Sequence, residues 1–337
     1  MLRCRLGALL TAGLMAPASA SDLIHIASSS TVAPFVSMAA EQFGQVSDFE
    51  PPVVESVGSG GGLKLFCASV ADGSPDIAGA SRRITDSERK NCAVAGVTDI
   101  TEIAIGYDGI ALATAKSAPS MALTGRQLFL AIAKTVPVFG RLMSNPYRTW
   151  RQIDASLPDR PIMVFGPAPN HGTRDILAER LMTAACGGFP EIAALEGEAR
   201  RTICQAVRED GVYIDVTADY AITLRKLEAE PGALGILPFS YLDRYGDEIR
   251  AAALDDRPLT YQSVYDGSYP LSRPLYIYVK KAHLKTTRGL REFAAELVSD
   301  KAAGKDGYLS EIGLIALPEA QRRAEAEKAR RLSERSD

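Results

Sequence analysis

Four short segments of the chain concentrate hydroxyls, glycines and arginines: Ser28-Ser29-Ser30-Thr31-Val32, Gly58-Ser59-Gly60-Gly61-Gly62, Ser81-Arg82, and Asn170-His171-Gly172-Thr173-Arg174-Asp175. Each follows a run of strand character and leads towards a helical pattern. The first N–H groups of a helix have no partner within it, and the helix dipole favours negative charge there. Clustered turns of this kind suit an anion. Arg82 and Arg174 can each present a planar fork to the oxygens of a tetrahedral dianion. Charge-assisted hydrogen bonds contribute about 1.5–3 kcal/mol apiece, so half a dozen exceed the roughly 8 kcal/mol of a micromolar site.

Sharper labels fail at these segments. A dinucleotide fingerprint needs Gly at the position of Leu63, a nucleophile elbow around Ser59 needs Gly at the position of Val57, and the lysine of a phosphate-binding loop is missing. Ser59 and His171 could form a nucleophile and base, which keeps a phosphatase or other hydrolase as a rival of a different class. Without an elbow, no catalytic residue is assigned and no enzyme activity is expected. The chain has no C-x-x-C, and its three histidines are His25, His171 and His283. Neither a metal nor another cofactor is expected.

The elements that must carry these segments alternate between strand and helix, which predicts an α/β fold with largely parallel sheets. Strands are expected over 23–27, 52–57, 76–80 and 162–166. A helix over 32–43 places Phe35, Val36, Ala39, Ala40 and Phe43 on one face. Thr85 and Glu88 have capping-box spacing, and Leu177 and Leu181 continue a helix after the fourth segment. In open α/β sheets ligands bind outside the carboxyl ends of the strands, so four turns from two distant stretches can close on one small ligand. The apolar run 101–113 carries the chain into a second lobe, and 274–279 follows its return. Lobe one is then 21–105 plus 270–318, lobe two is 106–269, and 319–337 is a charged tail expected as a solvated helix or frayed end.

Arg3 and Arg5 precede the apolar stretch 6–15, and Ala18-Ser19-Ala20 offers a cleavage site, so residues 1–20 are expected to be a signal peptide. The processed chain is expected to be soluble and monomeric in the periplasm. Removal of the two arginines leaves 36 basic against 41 acidic residues, a net charge of −5. Such a chain is a poor partner for nucleic acid, and an anion site must be built locally. Cys67, Cys92, Cys186 and Cys204 remain. In an oxidising compartment, Cys67–Cys92 and Cys186–Cys204 form the simplest of three connectivities.

In their order and spacing, Ser29-Ser30-Thr31-Val32-Ala33-Pro34-Phe35, Gly58-Ser59-Gly60-Gly61-Gly62-Leu63-Lys64, Asp76-Ile77-Ala78-Gly79-Ala80-Ser81-Arg82, Gly172-Thr173-Arg174-Asp175 and Pro231-Gly232-Ala233-Leu234-Gly235-Ile236 resemble the phosphate-binding proteins of the high-affinity phosphate ABC transporter. The resemblance implies a two-lobed periplasmic-binding-protein fold with a ligand cleft between the lobes, inorganic phosphate as ligand and an inner-membrane ABC permease as partner. It implies phosphate contacts from Ser30, Thr31, Val32, Ser59, Gly60, Ser81, Arg82, His171, Gly172, Thr173 and Arg174. Two departures bear on selectivity: His171 stands where the family usually has Ser, and Arg82 where some members have an Asp. Sulfate or molybdate on the same scaffold is the alternative.

Overall fold

The first strand–turn–helix unit forms close to where the pattern puts it, in the computed structural model, which describes residues 23–169, 172–216 and 220–332. The signal segment expected over 1–20 and the site residue His171 lie outside the described residues. Strand β1 (His25–Ser28) leads into helix α1 (Ala33–Val46), β2 (Val53–Ser56) into α2 (Ser59–Phe66), and β3 (Ile77–Ala80) towards α3 (Asp86–Val94). Helix α1 buries Phe35, Val36, Ala39, Ala40 and Phe43, the face its spacing predicts. The capping box of Thr85 and Glu88 opens α3. One difference is local: the glycines expected as a turn form the first turn of α2 itself. Gly58 supplies the entry at φ +78°, which an L side chain rarely adopts. A Cβ on Gly62 would stand 2.7 Å from the Ala27 carbonyl oxygen, so α2 packs backbone to backbone on β1.

Strand β4 (Ile100–Ala115) is the longest. Beyond it come β5 (Ala122–Leu123), a hairpin of β6 (Thr135–Val138) and β7 (Arg141–Ser144), then β8 (Val164–Pro167), β9 (Tyr213–Val216), β10 (Leu234–Pro238), β11 (Ile249–Ala251), β12 (Ala253–Leu254) and β13 (Ser272–Lys280). The main sheet runs β2-β1-β3-β13-β4-β10-β8-β9, with β11 also on β4. Pairings at its two ends are parallel, as expected. Around β4 and β13 they are antiparallel, because these two strands carry the chain across and back.

The apolar core divides along β4. Ile103 and Ile105 pack with Ile26, Val36, Phe43, Ile277 and Phe293, whereas Ile110 to Ala113 pack with Trp150, Val164, Leu177 and Leu234. Burying an Ile or Leu side chain contributes about 1.5–3 kcal/mol, so each cluster supports its own lobe. The disulfide Cys67–Cys92 lies in a smaller cluster of the first lobe with Leu63 and Phe66, and Cys186–Cys204 lies in the core of the second.

The expected solvated tail requires correction. Residues Glu319–Arg331 form a helix that buries Ala329 and Glu325, and Ala329 and the following Leu332 join the core of the first lobe. Glu325 Oε2 accepts a hydrogen bond of 3.1 Å from the Ala104 N–H. That amide is freed because the register of β4 against β13 slips between Leu275 and Tyr276, pairing Leu275 with Gly106 and Tyr276 with Ala104. Lys328 Nζ, 2.8 Å from Oε1 and 2.9 Å from Oε2, balances the buried carboxylate. A carboxylate in a charged run found a buried partner that only the folded sheet supplies. Among the described residues no helix is long and apolar enough to cross a membrane.

Candidate functional site

The turn after β1 is held by its own serines. The Ser29 carbonyl accepts from the amides of Val32 (3.1 Å) and Ala33 (2.8 Å), and Ser29 Oγ also accepts from Val32 N–H at 3.1 Å. The Val32 side chain is fully buried. The amide expected to face a ligand is therefore directed back into the turn. Ser30 and Thr31, half-buried and buried respectively, point elsewhere. Ser30 Oγ donates to the carboxylate of Asp175, 145 residues away, which joins the first turn to the fourth.

The second and third turns meet because β2, β1 and β3 are neighbours. Ser59 Oγ lies 3.2 Å from Ser81 Oγ and accepts from the Ser81 amide at 3.1 Å. Gly60 lies beside Arg82, where a Cβ would come within 3.7 Å of Nη2. The Arg82 fork is occupied: Nη1 and Nη2 donate to the two Glu88 oxygens at 2.9 and 2.8 Å. This hydrogen bonding raises the guanidinium pKa and holds the Glu88 carboxyl down at about 2.

In the fourth turn, Gly172 opens the helix Gly172–Ile176, and Thr173 Oγ1 lies 2.6 Å from the Tyr220 hydroxyl. Burial raises the pKa of that phenol, so it stays protonated. Arg174 lies at the carboxyl ends of β8 and β9. Its Nη1 donates to the Pro167 carbonyl at 2.9 Å and to Asp215 at 3.3 Å, and its guanidinium sits 4.9 Å from the centre of the Tyr213 ring. Both of these hydrogen bonds are made by Nη1 alone.

A further arginine, Arg273 on β13, stands against the first turn. It is 4% exposed. Its Nη2 donates to Thr31 Oγ1, its Nη1 donates to Glu179 Oε2 at 3.1 Å, and its Nε lies 3.8 Å from Asp108 Oδ2 on β4. Asp108 is buried and its carboxyl is pushed up to about 6 by desolvation, against which Arg273 and the Gly109 amide pull down. Arg180 donates to the Ser272 carbonyl at 2.8 Å, and its pKa is lowered first by burial and then by Arg273. Sequence reading passed over Arg273, Asp108, Asp175 and Glu179. The available signal was Asp108, set between Tyr107 and Gly109 within the run 101–113, and Arg273, immediately before the run 274–279.

The hydroxyls of Ser30, Thr31, Ser59, Ser81 and Thr173 follow the carboxyl ends of β1, β2, β3 and β8, and those of Ser30, Thr31 and Thr173 are paired with Asp175, Arg273 and Tyr220. Among the described residues no group of three or more His, Cys, Asp or Glu side chains is placed to hold a metal ion.

A family model described as a PBP superfamily domain matches residues 15–301. Protein SphX from Synechococcus elongatus is 28% identical over 304 residues, 88% of this chain and 78% of that protein. The phosphate-binding protein PstS of Staphylococcus saprophyticus is 24% identical over 296 residues, 86% of this chain and 79% of its own. Among solved structures, that of a possible phosphate binding protein from Planctomyces limnophilus superposes with a TM-score of 0.74 at 26% identity, covering 94% of this chain and all of the other.

Proposed function

The chain belongs to the PBP superfamily, the two-lobed periplasmic binding proteins, and on that premise we propose that it captures inorganic phosphate outside the cytoplasm for an ABC importer. The observation that carries the reading is the hydrogen bond between Ser30 and Asp175. It brings the turns of the first lobe against the helix start of the second, as closure on one small anion requires. The relatives named for phosphate binding support the choice of oxyanion.

In this reading Thr31, Ser59, Ser81 and Thr173 donate hydroxyls, Gly60 and Gly172 donate amides from helix starts, and Ser30, whose one hydroxyl hydrogen goes to Asp175, ties the first turn to the fourth. Arg82 stands at the rim, where exchange of Glu88 for ligand oxygens keeps its fork satisfied. His171 is a further ligand contact in this reading, at the position where the family usually has Ser. Binding needs no bond to be made or broken, so no residue acts as a catalyst and no cofactor takes part. The protein works as a periplasmic monomer that hands phosphate to an inner-membrane permease.

A panel of phosphate, sulfate and molybdate in thermal-shift and calorimetric titrations tests the reading. Phosphate at a hundred times its dissociation constant stabilises by about 2.7 kcal/mol, a rise of roughly 4 °C for a chain of this size. A response to sulfate or molybdate alone transfers the site to another oxyanion. Turnover of a phosphoester overturns the assignment as a binding protein.

A further inference from the structure

Resting on the oxyanion reading, we propose that Arg273 is a positioning residue that fixes the Thr31 hydroxyl as a donor to the ligand and ties it to the second lobe through Glu179. The polarity follows from the groups. A guanidinium has donors only, so in the bond from Nη2 to Oγ1 the threonine oxygen accepts. Its own hydrogen is left to point at another acceptor. Within a turn that already carries Ser30 to Asp175, an anion oxygen between the lobes is that acceptor.

Arg273 is suited to this by its place on β13, one of the strands that cross between lobes. Through Nη2 it holds the first lobe, and through Nη1 it holds Glu179, one helical turn beyond Asp175. Both bonds to the Ser30-Thr31 turn therefore lead to one stretch of the second lobe, and separating the lobes strains both. Nε has no hydrogen-bond partner, although the side chain is 4% exposed. Asp108 stands 3.8 Å away, near enough to act through its field and too far to bond. Glu179 is mostly exposed, so its charge is screened. The hydrogen bond from the guanidinium polarises the Thr31 hydroxyl and makes its hydrogen a stronger donor to an anion.

The test is a double-mutant cycle on the full chain, titrated calorimetrically with inorganic phosphate: parent, Thr31→Val, Arg273→Gln and both together. Each single change is expected to weaken binding by about tenfold or more. The double variant is expected to lie within about threefold of the weaker single one, because Arg273 acts through Thr31. A purely structural arginine would lower the melting point without this coupling. Losses that multiply in the double variant overturn the inference while the phosphate reading stands. A parent that binds no phosphate overturns both together. If Arg273→Gln does not fold, Arg273→Lys keeps the charge but presents a compact ammonium, and the same cycle with Thr31→Val carries the decision.

Discussion

Arg273 and Asp108 face each other in register across the antiparallel pair β13 and β4, with Nε and Oδ2 3.8 Å apart, at the point where the chain passes between lobes. The pair is buried and imperfect. Desolvation of the carboxylate outweighs the attraction of the guanidinium, and the Asp108 carboxyl titrates at about 6 in the folded protein against 3.8 in its unperturbed form.

The sign of the pH dependence follows. A carboxyl whose folded pKa lies above its unfolded value holds its proton more tightly in the folded state. Its contribution is fully present below about pH 4 and is lost as pH rises through about 6, a change of about 3 kcal/mol for two pKa units. Urea unfolding of the parent and of Asp108→Asn between about pH 4 and 7 should diverge by an amount of this order, with the parent relatively weaker at pH 7. Parallel profiles would show that Asp108 does not titrate in this window.

Arg174→Ala separates an architectural arginine from a ligand-binding one. The substitution removes the bond to the Pro167 carbonyl and the contact with the Tyr213 ring. It should cost about 2 kcal/mol and lower the melting point by roughly 3 °C. Phosphate affinity should change by less than about threefold, under 1 kcal/mol. A large loss of affinity with an unchanged melting point would return this guanidinium to the cleft.

Glu325→Ala tests the terminal helix. Without the carboxylate, the Ala104 amide is left buried without its partner and Lys328 loses its counter-charge. A loss of about 1–3 kcal/mol in chemical unfolding is expected, despite the position of the residue in a run of charges near the chain end. Stability equal to the parent would mean that water replaces the carboxylate at the bulge.

Much of the scaffold was legible because local signals and the fold agree. Strand, hydroxyl-rich turn and helix recur three times in the first lobe, and the Thr85–Glu88 capping box is a purely local device. The crossover strands were legible as long, largely apolar runs. What escaped reading depends on partners distant in sequence. Arg273 matters because Thr31, 242 residues away, and Glu179, 94 residues away, converge on it. The partners of Arg174, the Pro167 carbonyl and the Tyr213 ring, come from two strands that only the fold brings beside it. Glu325 reads as solvated because the bulge that requires it exists only in the paired sheet.

The slip in that ladder also has a mechanical consequence. A strand hydrogen-bonded into both lobes cannot let them rotate without loading every rung between them, and regular β-ladders are stiff under such shear. Ile105 is the residue passed over where the β4–β13 register slips, which gives the connection its point of lowest torsional resistance. The Glu325 carboxylate grips the neighbouring Ala104 amide from the side of the first lobe. Twist applied by closure is thereby confined to the few residues from Gly106 towards Arg273 and Asp108, and the terminal helix acts as the anchored end of a torsion spring.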